Sequence, residues 1–147
     1  MRAISERKRF RGSLLGLAAG DALGTTLEFS IPGRFDPIDD MVGGGPFRLA
    51  PGQWTDDTSM ALCLAESILE AGWDPVDQLE RYVRWMEDGL YSSTGRCFDI
   101  GRTVLTALGR FRRTGEPFPG STDPNSAGNG SIMRGRRSPS DRGAGKL

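Results

Sequence analysis

Apolar residues recur at helical spacing in four stretches, and strand-like alternation is weak everywhere. In residues 5–24, Leu14, Leu17, Ala18 and Ala22 share one face, with Leu15, Ala19 and Leu23 broadening it and Ser5 placed as a cap. A second helix is predicted from the polar cluster Gln53-Trp54-Thr55-Asp56-Asp57-Thr58 through the apolar-rich run Met60 to Ala71. Thr55 is its N-cap candidate, two aspartates fill its first turn, and Gly72 is its stop. Asp74-Pro75 opens a third, a cap followed by proline at the first helical position. Val76, Leu79, Val83 and Met86 form its stripe, with Tyr82 and Trp85 flanking it as core or rim. The fourth spans residues 100–113, with Val104, Ala107, Leu108 and Phe111 on one face and Gly115 at its end. No internal repeat is present, and the expected fold class is all-α.

The segments between these helices are unequal. Residues 30–52 hold prolines 32, 37, 46 and 51 and glycines 33, 43, 44, 45 and 52, a long connection that reads as one wall of a cleft. Residues 89–95 form a Gly, Ser and Thr-rich turn, and residues 115–134 a further loop. Asp21 interrupts the first apolar face between Gly20 and Gly24. A carboxylate there lies in solvent at a fraying helix end or is buried with a partner, since burial alone is too costly. Glu28 follows closely enough to point at the same place.

Composition narrows the chemistry. The 147 residues fit one domain with a real core. Lys plus Arg and Asp plus Glu both number 19, so no overall field favours nucleic acid or an anionic membrane. Histidine is absent, which removes the commonest general base and leaves carboxylates, hydroxyls, backbone amides or a bound ion. Cys63 and Cys97 are far apart in apolar or mixed surroundings and read as structural free thiols of a reducing cytoplasm. Glycines 16 and 20 and Asp21 break the N-terminal apolar run, which suits neither a signal peptide nor a membrane span.

Two stretches carry candidate chemistry. Thr55-Asp56-Asp57 is either a plain capping arrangement or a hard-metal site. A hydroxyl and two adjacent carboxylates at a helix end offer three oxygens of the kind Mg2+ or Ca2+ prefers. Asn125-Ser126-Ala127-Gly128-Asn129-Gly130-Ser131 is either a flexible turn or a loop whose backbone amides and side-chain donors approach a phosphate.

Taken in order, these motifs resemble the ADP-ribosylglycohydrolase family, which includes the dinitrogenase reductase-activating glycohydrolases. Gly12 to Gly24 is similar to its opening helix and Glu28 to a family glutamate. Thr55-Asp56-Asp57 is similar to its first metal motif. Phe98-Asp99-Ile100-Gly101 and Gly128-Asn129-Gly130-Ser131-Ile132-Met133-Arg134 are similar to two further cleft motifs. The resemblance runs over residues 9–134 and implies a helical bundle with a binuclear Mg2+ or Mn2+ centre that hydrolyses the bond between ADP-ribose and an acceptor, often protein arginine. It implies metal ligation by Thr55, Asp56 and Asp57, and a catalytic Glu28 that positions water or substrate. Phe98 and Asp99 would line the ribose pocket, while Asn125, Ser126, Gly128, Asn129, Gly130 and Ser131 would hold the diphosphate. Asp21 would be structural or one step removed from the chemistry. The implied partner is an ADP-ribosylated protein or a small ADP-ribose conjugate, in the cytoplasm, with no membrane and no nucleic acid.

The chain also departs from that pattern. The family's second metal motif, Asp-x-Asp followed by Thr or Ser, is absent, and Asp141 is the only acidic residue after Asp123. Residues 135–147 have a disorder-like composition, read as a truncated or frameshifted end or as a basic interaction tail. The expectation is therefore the N-terminal half of the family domain over residues 1–134, truncated, with an open metal site and exposed apolar helix faces. A metal-dependent hydrolase, impaired here, is the first functional expectation. A non-catalytic ADP-ribose binder is the second, and a fragment that does not fold alone is the third.

Overall fold

A computed structural model describes residues 5–126 of the chain. Four α-helices follow one another: α1 (Glu6–Gly24), α2 (Asp56–Ala71), α3 (Pro75–Asp88) and α4 (Arg102–Thr114), with single 3-10 turns at Thr25–Leu27 and Pro124–Ser126. No strand forms among the described residues, and Gly44 and Leu49 make an isolated antiparallel bridge. The fold is all-α, a partial helical bundle, as the periodicity required. No helix among the described residues is long and apolar enough to cross a membrane.

Local chemistry sets the helix ends. The Asp74 carboxylate accepts from the amides of Val76 and Asp77 at 2.9 and 3.3 Å, and Pro75 occupies the first turn, where its missing N–H costs nothing. Gly89 and Gly115 end α3 and α4 in the left-handed conformation that glycine adopts freely.

The core lies where α2, α3 and α4 meet. Met60, Cys63 and Leu64 of α2 pack with Tyr82 and Trp85 of α3 and Leu108 of α4. The expected α3 face is corrected at one position, Val76, which lies exposed. Tyr82 and Trp85 are the buried apolar residues of the helix, and Leu79, Val83 and Met86 pack at the edge of the core. The large rings fill the interface with α2. Cys63 is fully buried, which pushes its thiol up to about 12, an inert structural group.

Arg81 ties α2 to α3. Its Nε donates to Asp77 Oδ2 at 2.7 Å, its Nη2 to Glu70 Oε2 at 2.8 Å and its Nη1 to Glu66, which also accepts from the Tyr91 hydroxyl. The N-terminal helix is held less fully. Ala22 is its one buried residue, while Phe10 and Leu15 are about two-thirds exposed at 66% and 65%. Among the described residues, the predicted stripe of α1 therefore faces a partner only at its C-terminal end, where α1 meets α2.

The 30–52 connection folds back on the end of α1. The Thr26 hydroxyl donates to the Gly43 carbonyl at 3.0 Å, and a Cβ on Gly45 (φ 64°) would come within 2.6 Å of the Thr25 carbonyl oxygen. Gly45→Ala is expected to destabilise the chain by about 2 kcal/mol, combining positive-φ strain with a backbone clash. Urea denaturation checks this, and an unchanged midpoint would contradict so tight a contact.

Candidate functional site

Glycines 16, 20 and 24 recur every four residues on α1, and a Cβ on any of them would meet nothing within 4 Å. This stripe of missing side chains forms one wall of a cleft of about 500 Å³. The Thr25–Leu27 turn and Glu28 close one end, and the start of α2 and Asp99 form the facing wall. Asp21, Glu28, Thr55, Asp56, Asp57 and Asp99 all present themselves to this space.

Asp21 holds the facing wall in place. Its carboxylate accepts from the Thr55 amide at 3.0 Å, the Thr55 hydroxyl at 2.8 Å, the Thr58 amide at 3.1 Å and the Thr58 hydroxyl at 2.7 Å. The expected Thr55 side-chain cap is corrected by this arrangement: Thr55 occupies the N-cap position but makes no side-chain capping bond, and its hydroxyl turns to Asp21. A carboxylate from a neighbouring helix thus does the work of a cap, satisfying N-terminal amides and complementing the positive end of α2.

The cleft gathers five carboxylates, and among the described residues no Lys or Arg lines it. Burial, then the charges of Asp99 and Asp57, lifts the Asp56 carboxyl to about 7. Burial, then Glu28, Asp57 and Asp21, lifts Asp99 to about 6. Asp57 is raised by burial and by Asp21, and Glu28 by burial and by the charges of Asp21 and Asp57. Asp57 Oδ1 is buried without a hydrogen-bond partner. Such a site lacks positive charge and is completed by a cation or by protons. Among the described residues, no three His, Cys, Asp or Glu side chains already converge on a single ion position.

A pH dependence follows. These carboxyls have folded-state pKa values above their unfolded ones, so the folded chain binds more protons between the ordinary carboxylate range and about 7. Stability must fall as pH rises through that window in metal-free buffer. A melting temperature several degrees higher near pH 5 than at about pH 7.5 is expected, and the reverse order would contradict the charge crowding.

Of the residues singled out by sequence, Glu28, Thr55, Asp56, Asp57 and Asp99 come together in this cleft. Phe98 instead sets its ring against Phe47, with centroids 5.3 Å apart, and does not line the cleft. The amide and side chain of Asn125 donate to Asp123 Oδ1 at 2.9 and 3.1 Å, and the Ser126 hydroxyl donates to the Asp123 carbonyl at 2.8 Å. Both therefore sit in a local turn rather than on the described cleft wall. Gly128, Asn129, Gly130 and Ser131, with the 135–147 tail, lie outside the described residues. The cleft adds Asp21 to its lining, a residue that sequence left out of the chemistry; a lone acid among glycines on an apolar helix face was its signal.

Comparison with known proteins bears on the same stretch. The family model described as ADP-ribosylglycohydrolase matches residues 2–139. The chain is 55% identical over 125 residues to an "ADP-ribosylarginine hydrolase Tri1" of Serratia proteamaculans (strain 568), covering 84% of this chain and 34% of that protein. It is 38% identical over 142 residues to an "ADP-ribosyl-[dinitrogen reductase] glycohydrolase" of Rhodospirillum rubrum, covering 91% of this chain and 45% of that protein. A solved "ADP-ribosylglycohydrolase-related protein complex" superposes with a TM-score of 0.71 at 49% identity, over 84% of this chain and 38% of that one. The chain thus spans between a third and a half of the length of these relatives.

Proposed function

The chain belongs to the ADP-ribosylglycohydrolase family, and from that premise we propose that its cleft is the acidic side of an active site that hydrolyses the glycosidic bond between ADP-ribose and the guanidinium of arginine. The observation that carries this reading is the convergence of five carboxylates with no basic residue among the described lining. Cleaving a ribosyl bond builds positive charge at the anomeric carbon, which preorganised carboxylates stabilise strongly. The printed name of the Serratia relative supports arginine as acceptor.

The donor set fits a hard divalent cation, Mg2+ or Mn2+. The oxygens are carboxylate and hydroxyl, and among the described residues Asp57 Oδ1 is buried and unpartnered and the crowded negative charge is unmatched. Thr55, Asp56 and Asp57 would hold it. Such an ion, when bound, polarises oxygens it touches and acidifies bound water.

The protein's own groups do the rest. Asp21 orients the Thr55 and Thr58 hydroxyls through its hydrogen bonds, presenting the α2 terminus to substrate. Glu28 has a raised pKa that suits it to exchange a proton with water or the leaving nitrogen, and Asp99 faces the developing charge. Gly128, Asn129, Gly130 and Ser131 are the proposed diphosphate contacts. The three α2 donors leave a divalent ion short of the six or more oxygens it takes, so ion binding and turnover by this stretch alone are weak.

Release of ADP-ribose from ADP-ribosylarginine tests the proposal. Turnover requiring Mg2+ or Mn2+ and reduced about 100-fold in Asp56→Asn supports it. No turnover at high protein concentration overturns it for this chain. The open donor set favours a second reading, a non-catalytic ADP-ribose binder, for which calorimetry would show metal-independent binding of ADP-ribose without hydrolysis.

A further inference from the structure

Three phenylalanines from separate parts of the chain meet beside the cleft. Phe29 and Phe47 pack edge to face with ring centroids 6.3 Å apart and planes at 70°, and Phe47 meets Phe98 at 5.3 Å and 58°. Phe29 directly follows Glu28 and Phe98 directly precedes Asp99, so the row of rings links the two segments that bring these carboxylates to the cleft. Hydrophobic burial does not explain its outer end, since Phe29 is 78% exposed. Nor does backbone preference: Phe29 and Asp99 have φ of 60° and 58°, a conformation that non-glycine residues adopt only at a cost.

We infer that this aromatic row is the platform for the acceptor, with the guanidinium of an arginine-type leaving group lying over the exposed ring of Phe29, which half-buried Phe47 supports, beside Glu28 and Asp99. The inference rests on the hydrolase reading for the acceptor's chemistry. Aromatic faces carry the negative lobes of the ring quadrupole and attract planar cations, most of all where carboxylates lie close by. A neutral hydroxyl acceptor would gain nothing from such a surface. Stacking of the adenine base here would draw the diphosphate toward five carboxylates with no cationic side chain among the described lining residues, so charge complementarity selects the cationic end of the substrate.

Methylguanidinium titrated into the chain, followed through NMR of labelled phenylalanine rings, tests this, with neutral N-methylurea and matched NaCl as controls. Expected are saturable shifts of the Phe29, Phe47 and Phe98 rings with methylguanidinium alone. Phe29→Leu should weaken its binding roughly fivefold and Phe29→Tyr should restore it. Phe47→Leu provides a second variant with the same expected direction. Equal shifts with N-methylurea, no shifts at all, or unchanged affinity in both leucine variants would overturn the platform. ADP-ribose titrated into the same sample reports separately on the hydrolase reading. Ring shifts without ADP-ribose binding would count against that reading and leave the platform standing. ADP-ribose binding without cation-specific shifts would do the opposite.

Discussion

Asp21→Ala is expected to lower stability by about 3 kcal/mol and to reduce any turnover to background. Four donors converge on this carboxylate, and Thr55 and Thr58, which supply them, are 4% and 3% exposed. Each bond to a charged acceptor contributes about 1.5–3 kcal/mol, and the donors left behind would have little access to water. Two terms reduce the sum: the hydroxyls can rotate to other partners, and removing one charge relieves Glu28, Asp56, Asp57 and Asp99, all raised in part by Asp21. Activity suffers more than stability because the start of α2, which carries Thr55, Asp56 and Asp57, loses its anchor. Asp21→Asn keeps one acceptor oxygen and is expected to cost about half as much. Urea denaturation together with the ADP-ribosylarginine assay checks both variants. A loss below about 1 kcal/mol in Asp21→Ala would mean that α2 is fixed by other contacts.

Arg81→Met is expected to destabilise by about 2 kcal/mol while leaving the cleft's charge untouched. The guanidinium side chain is only 10% exposed and bonds to Glu66, Asp77 and Glu70, whose side chains are 29%, 25% and 63% exposed. The exposed Glu70 pair contributes little, so the loss falls on Asp77 and on Glu66, which keeps only the more distant charge of Arg84. Asp77 is held below the usual carboxylate range chiefly by its bond from Arg81, and Glu66 by the Tyr91 hydroxyl and then Arg81. These folded-state pKa values are depressed, so their stabilisation is present above the ordinary carboxylate range and is lost as pH falls through the lowered values. The gap between wild type and Arg81→Met should therefore narrow near pH 3, which denaturant melts at two pH values would reveal. A gap independent of pH would reduce Arg81 to a packing residue.

What sequence conveyed was largely what neighbours in the chain decide. Asp74-Pro75 and Gly115 mark helix ends through bonds made within a few residues, Gly72 through its positive φ, and the helices begin and end close to where they point. The ordered motifs also named Glu28, Thr55, Asp56, Asp57 and Asp99, which share the cleft. Contacts across long separations were not legible. Asp21 and Thr55 lie 34 positions apart, so nothing local told that the α2 cap comes from α1 rather than from Thr55 itself. That Trp85 and Tyr82 rather than the aliphatic stripe centre the core depends on how they fit against Cys63 and Leu64, a volume match that a polarity pattern does not encode. Phe29, Phe47 and Phe98 are isolated in sequence and become a row only when the 30–52 connection folds back.

A cleft whose described lining holds five carboxylates and no basic side chain must attract a divalent cation if the hydrolase reading is right. Calorimetric titration of Mn2+ into the metal-free chain at about pH 7.5 measures this directly, beside Asp56→Asn and Asp57→Asn. Saturable binding with a Kd of about 0.1–1 mM, weakened at least tenfold in either variant, is the predicted result. No heat above dilution, or binding equally strong in both asparagine variants, would contradict a metal site at the start of α2.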